Sequence, residues 1–185
     1  MEALNTSSYD LIDRFRQGDR EAFTPLFDKH RRRLAVLVHY KLSERLRGSM
    51  EVDDIVQETF LAAARDLDSF QYRGPGSFMK WLAAIAGHLI IDEARYYGRA
   101  RRSADFTVSE PVDSNTPSRI FAQSERVRRL LARLNQLPED YRQVILLAKV
   151  EGCSTVEIAD KMGRSREAVS LMLHRALKRL REMDA

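Results

Sequence analysis

One cysteine, Cys153, is all that the 185 residues contain, which excludes an internal disulfide and a cysteine-rich zinc site. The thiol itself reads either as a small apolar side chain or as a redox group. No apolar run approaches the roughly 20 residues of a membrane span. The opening MEALNTSSYD has neither the basic start nor the apolar stretch of a secretory signal. These absences predict a soluble, cytoplasmic protein. A glycine-rich phosphate cradle is missing too, because Gly74-Pro-Gly76 lacks the lysine and the spacing that such a loop needs. The histidines, His30, His39, His88 and His174, share no metal-ligand spacing. Asp54 and Glu58, one helical turn apart, could share a cation or form a solvated acidic face, and no third ligand lies near them in sequence. With no nucleophile, metal or nucleotide constellation, the chain reads as a binding protein and not an enzyme, with no cofactor and no metal expected.

Charge is plentiful. Asp, Glu, Lys and Arg make up 31% of the chain, 31 basic residues against 27 acidic, for a formal net charge of +4. A pI near 9.4 suits a polyanionic partner without requiring one, so the placement of each sign matters more than the total.

Period-two strands are absent from the pattern, and helical spacing recurs along most of the chain. A short helix is expected over Tyr9–Arg16, with Leu11, Ile12 and Phe15 apolar, stopping at Gly18. Asp19 is placed to cap the next helix, which carries Ala22, Phe23, Leu26, Phe27, Leu34, Leu37 and Val38. Pro25 predicts a kink or a restart there. A third helix begins near Val52, with Asp53 and Asp54 at the favourable end of its dipole and Val56, Thr59, Phe60, Ala63 and Leu67 on its buried face. After a loop from Gln71 to Ser77, a long helix is expected from about Phe78 to Arg99. From Ser103 to Ser118 the chain is rich in Pro, Ser, Thr and Asp and carries no apolar stripe, the composition of a flexible linker. Val127, Leu130, Leu131 and Leu134 then mark a helix, and Pro138 opens another that ends at Gly152.

The last segment is the most specific. Ser154 and Glu157 have capping-box spacing, Ile158, Ala159 and Met162 share a face, and Gly163 supplies a left-handed stop. Ser165 can cap a second helix on which Val169, Leu173, Ala176 and Leu180 form the buried stripe, opposite Ser170, His174, Lys178 and Arg181. This is the pattern of a helix-turn-helix entering a major groove, although an ordinary surface helix pair with a solvated charged face shares it. The predicted fold class is therefore all-α: two small helical domains, residues 1–102 and 119–185, joined by a flexible acidic linker over 103–118. The second domain is expected to be a four-helix unit containing the helix-turn-helix.

Before the linker, Phe70, Tyr72, Phe78, Trp81, Tyr96 and Tyr97 interleave with Arg73, Lys80, Arg95, Arg99, Arg101 and Arg102. Stacking aromatics beside a cationic track suit single-stranded or locally melted nucleic acid. Phe78, Trp81 and Ile85 are expected in the core, whereas Tyr72, Tyr96 and Tyr97 are expected at the surface.

In order along the chain stand Asp53-Asp-Ile-Val-Gln-Glu-Thr-Phe60, Phe78-Met-Lys-Trp-Leu-Ala-Ala-Ile-Ala86 with Asp92, Leu137-Pro, and the Ser154–Leu180 unit. This series resembles the bacterial sigma factors of the extracytoplasmic-function group of the sigma-70 family, from about Tyr9 to Glu182. The resemblance implies a promoter-specificity subunit that recruits core RNA polymerase and helps to open promoters. It implies that Asp54, Gln57 and Glu58 dock on the clamp helices of the largest polymerase subunit, with the flap region as a further contact. For the minus-ten element it points to Tyr72, Arg73, Lys80, His88, Arg95 and Arg99. For the minus-thirty-five element it points to Arg164, Arg166, Ser170, His174, Arg175 and Lys178. Promoter DNA and core polymerase are the implied partners, and family habit adds an anti-sigma factor that sequesters both domains.

Two departures qualify the match. Gly87-His88 stands where relatives often carry Arg-Asn, so a relative's minus-ten preference does not transfer. Leu171 falls near the outward face of the recognition helix, where it could touch a thymine methyl, pack on an inhibitor, or stand as an isolated exposed residue. For the linker acids Asp105, Glu110 and Asp113 the resemblance implies a mimic of RNA charge in a basic polymerase channel; the alternative is an inert tether. The competing function is a stand-alone helix-turn-helix regulator, which would use the first domain for a ligand or for dimerisation.

Overall fold

The computed structural model describes residues 6–42, 50–100 and 125–183, with side chains described except over 97–100. Every regular element among them is helical. Helix α1, Ser8–Arg16, starts at a complete capping box in which the Ser7 hydroxyl accepts from the Asp10 amide and the Asp10 carboxylate accepts from the Ser7 amide. It buries Leu11, Ile12 and Phe15. The chain reverses at Gly18, whose φ of +100° only glycine adopts without strain. Asp19 makes no side-chain cap to the turn after it. Its carboxylate is taken by the Arg14 guanidinium at 2.6 Å, and that hydrogen bond holds its pKa below the usual value.

A 3₁₀ turn, Arg20–Ala22, leads into α2, Phe23–Lys41. Pro25 therefore produces a restart: it sits in the first turn of α2, where its missing N–H has no intrahelical acceptor to satisfy. Helix α3, Val52–Asp66, buries Ile55, Val56, Thr59, Phe60 and Ala63, with Asp53 and Asp54 in its first turn. The buried Thr59 hydroxyl is satisfied by the Ile55 carbonyl at 2.6 Å. At the far end of α3, Arg16 reaches over from α1 and donates to the carbonyls of Leu67, at 2.9 Å, and Phe70. The Leu67 carbonyl also accepts from the Phe70 amide at 3.2 Å, so Arg16 clamps the turn that ends the helix. Helix α4, Ser77–Ala100, closes the first core with Phe78, Met79, Leu82, Ala83, Ala86 and Ile90.

The second unit comprises α5, Glu125–Gln136; α6, Glu139–Ile145, prolonged by a π turn over Leu146–Glu151; α7, Thr155–Met162; and α8, Arg166–Glu182. Gly152 at φ +82° ends the π turn and Gly163 at φ +62° ends α7, so both left-handed positions carry glycine. Leu134, Leu137, Val144, Ile145, Ile158, Val169 and Ala176 form its core. The two units touch. Leu131 and Val150 of the second unit belong to the first core, and Arg33 of α2 donates to the carbonyls of Lys149 and Val150 at 3.2 and 3.0 Å. The Tyr40 hydroxyl donates to Asn135 at 2.9 Å. At Gly152, an added Cβ would stand 3.5 Å from Gly76 Cα, so the α4 entry loop and the end of the π turn meet backbone to backbone.

The expected linker over 103–118, with Asp105, Glu110 and Asp113, lies outside the described residues, as do Arg101 and Arg102. No described helix is long and apolar enough to cross a membrane.

Candidate nucleic-acid interface

Three faces carry the chemistry read from the sequence. The first is the outer side of α3. Burying Ile55, Val56, Thr59, Phe60 and Ala63 on one side turns Asp54, Gln57 and Glu58 to solvent, as the 3.6-residue period requires. The structure adds Leu61, 49% exposed one turn beyond Glu58. Sequence reasoning passed over it because a single leucine in an apolar-rich helix looks like core. The face is thus acidic with an apolar spot, which suits a protein surface more than a cation.

The second face comprises the loop before α4 and the outward stripe of that helix. Ser77 organises the loop: its hydroxyl donates to the Gly74 carbonyl at 2.7 Å and accepts from the Arg73 amide at 3.2 Å. Arg73 is exposed, with its guanidinium 3.2 Å from the Gln71 side-chain oxygen. Tyr72 departs from the expected exposure. It is half-buried and packs on the first core, with its ring centroid 5.1 Å from that of Tyr9 on α1. Tyr9 was not singled out from the sequence, since nothing local distinguishes it from the apolar residues of its helix.

Along α4, Lys80, Ala84, His88, Ile91 and Arg95 follow one face at three- and four-residue spacing. His88, Ile91 and Arg95 are exposed. Arg95 lies 3.5 Å from Asp92, leaving it open to water and to anions. Lys80 is engaged: its ammonium sits 2.8 and 2.7 Å from the two carboxylate oxygens of Glu157 on α7. Phe78 is buried, and Trp81 and Ile85 pack against the core, as their spacing predicted. Tyr96 is exposed, while the side chains of Tyr97 and Arg99 lie outside those described.

The third face belongs to the helix-turn-helix. Ser154 and Glu157 form the expected capping box on α7, and Ser165 caps α8 through the Ala168 amide. Glu157 is held ionised down to a pKa of about 2, first by the Lys80 hydrogen bond and then by the Ser154 amide and hydroxyl. Behind the motif, the buried Glu151 carboxylate is paired with Lys161 at 2.7 Å. Burial and then the neighbouring Glu151 charge push the Cys153 thiol up, against the opposing pull of Lys161.

Arg166, Ser170, His174, Arg175 and Lys178 are all exposed on α8, the four at 166, 170, 174 and 178 in one line at four-residue spacing. Arg175 and Lys178, with Arg179, Glu182 and Tyr141 of α6, line a cavity of about 340 Å³. By 100° steps Lys178 also continues the line of Arg166, Ser170 and His174, whereas Arg175 stands about 60° beyond Lys178. Arg164, in the turn, is paired with Asp140 at 2.6 Å. Leu171 is 50% exposed, between Lys178 and Arg175 around the helix.

Comparison with known proteins matches two family descriptions in order: Sigma-70 region 2 over residues 26–100 and Sigma-70, region 4 over residues 127–180. The ECF RNA polymerase sigma factor SigE of Mycolicibacterium smegmatis is 33% identical over 185 residues, covering 98% of this chain and 68% of that protein. The RNA polymerase sigma factor CarQ of Myxococcus xanthus is 33% identical over 179 residues, covering 93% and 94%. Among solved structures, CnrH in complex with the cytosolic domain of CnrY is 26% identical, covers 94% of each chain and superposes with a TM-score of 0.46.

Proposed function

The chain belongs to the extracytoplasmic-function group of the sigma-70 family, and from that premise we propose how its faces share the work. As a sigma factor it directs promoter-specific transcription initiation. One observation carries this: both sigma regions occur on the same chain, in family order. A stand-alone regulator is not favoured, because it has no use for the first region. Sigma factors are non-catalytic DNA-binding subunits, and the work assigned to each face is binding.

In this reading, Asp54, Gln57 and Glu58 meet the basic clamp helices of the largest polymerase subunit. Their exposure opposite a buried stripe supports the assignment, and Leu61 supplies an apolar contact at the end of the patch. The 71–77 loop and the Lys80–Arg95 stripe engage the minus-ten element as it melts, with Arg99 continuing the stripe. Arg166, Ser170 and His174 read base edges of the minus-thirty-five element. Arg164, Arg175 and Lys178 serve phosphates, and the flap region of the polymerase contacts the same unit. An anti-sigma factor competing for these faces belongs to the same proposal, as does a cytoplasmic location.

The test is in-vitro transcription from genomic fragments with core polymerase, with and without this protein. Specific initiation is expected only when both are present. Reversing both charges with Asp54→Lys and Glu58→Lys should abolish polymerase binding while leaving the helical circular dichroism unchanged, since neither side chain is buried. Retained binding would contradict the docking assignment.

A further inference from the structure

We propose that Tyr9 is a further DNA-binding residue: its exposed ring extends Tyr72 into a stacking platform for an unstacked base of the non-template strand. The inference rests on the reading that the 71–77 loop engages the melted minus-ten element, and it deepens that reading by adding a helix that the loop alone does not include.

The geometry distinguishes the two rings. Tyr72 is half-buried against the core and backs the pair. Tyr9 leans on it at 5.1 Å between centroids and 57° between planes, yet remains 50% exposed. The other apolar side chains of α1, Leu11, Ile12 and Phe15, are at most 7% exposed, so the core is complete without this ring. The contacting rings leave no room for a base between them. An unstacked base therefore seats on the open side of Tyr9, as the next layer on a supported aromatic surface.

The platform is also held in place. Besides the Ser7–Asp10 capping box, the Ser8 hydroxyl lies 2.8 Å from His30 Nε2 and Lys29 Nζ donates to the Thr6 carbonyl at 2.6 Å. Both partners are on α2. The capping box thus fixes the first turn of α1 and two ties pin it to α2, so Tyr9 loses little freedom when a base arrives. Lys29, tied to Thr6 before α1, and Arg73, next to Tyr72 in the chain, are exposed and add positive charge suited to the strand's backbone.

The experiment uses the full chain assembled with core polymerase on a promoter from which the wild type initiates. That promoter is supplied as a fork-junction template with a single-stranded non-template minus-ten strand, carrying 2-aminopurine at one position at a time. Tyr9→Leu should weaken fork-junction binding on the order of tenfold and abolish the fluorescence change at one position. Tyr9→Phe and Tyr9→Trp should retain both. Core binding, duplex minus-thirty-five binding and the melting temperature should not move. If Tyr9→Leu also lowered the melting temperature, the Phe and Trp variants would decide: a Trp variant that loses the fluorescence change overturns the proposal. It is equally overturned if Tyr9→Leu binds the fork as the wild type does while Tyr72→Leu does not, an outcome that leaves the loop reading intact. Should both leucine variants match the wild type on the fork, the loop reading itself fails and the platform with it. A loss of core binding on Tyr9→Leu would instead make the ring a polymerase contact.

Discussion

The ammonium of Lys80, on the outward stripe of α4, is shared between both carboxylate oxygens of Glu157, the residue that closes the capping box of α7. One ion pair thus joins a minus-ten candidate to the start of the helix-turn-helix. Both side chains are partly exposed, so the pair contributes at most about 1 kcal/mol, an amount that a DNA phosphate can replace.

Lys80 reaches a phosphate only by leaving Glu157. Glu157→Gln, which keeps a hydrogen-bonding cap, should therefore raise affinity for melted minus-ten DNA, and Lys80→Met should lower it. In the Lys80→Met background, Glu157→Gln should have no further effect. Filter binding of the four holoenzymes to a fork-junction template reads this directly; two additive effects would show that the residues act separately.

His30 gives the stability a pH dependence. Burial, followed by the charges of Arg33 and Lys29, lowers its pKa to about 4 from 6.5, while Nε2 is matched with the Ser8 hydroxyl. The folded protein keeps the ring neutral, whereas the unfolded chain takes up a proton below pH 6.5. The contribution is therefore complete above pH 6.5 and is lost as pH falls towards 4, reaching about 3 kcal/mol. Denaturant unfolding between pH 7 and pH 4 should show this slope, and His30→Gln should flatten it.

Gly87 lies inside α4, and a Cβ added there meets nothing within 4 Å. Gly87→Ala should raise stability by about 0.5–1 kcal/mol, through helix propensity and a less disordered unfolded chain. Thermal unfolding measures the change. No gain would mean that an alanine methyl meets resistance at this position.

Base and phosphate contacts on α8 should separate in DNA-binding assays. His174→Ala should cost roughly 1–3 kcal/mol on the cognate minus-thirty-five sequence and relax preference at one position. Lys178→Ala should weaken all sequences about equally and reduce the salt slope by about one. Equal behaviour of the two variants in salt titrations would put both residues in one class of contact.

Much of this protein was legible in one dimension. Helix starts at Val52 and Ser154, the left-handed stops at Gly152 and Gly163 and the buried stripes of α3 and α8 follow from local capping and from a 3.6-residue period, both set by neighbours along the chain. The acidic patch of Asp54, Gln57 and Glu58 was visible for the same reason: once one side of a helix is apolar, the other is determined. Other contacts depended on distant partners. Asp19 looked like a cap but serves Arg14. Tyr72 looked exposed but is backed by the core and by Tyr9. Lys80 meets Glu157 across 77 positions, and Arg33 reaches carbonyls more than a hundred residues away. Periodicity specifies which side of a helix faces inward, but not which other helix lies against it. That choice depends on burying Leu131 and Val150 in the first core, and only the packed chain makes it.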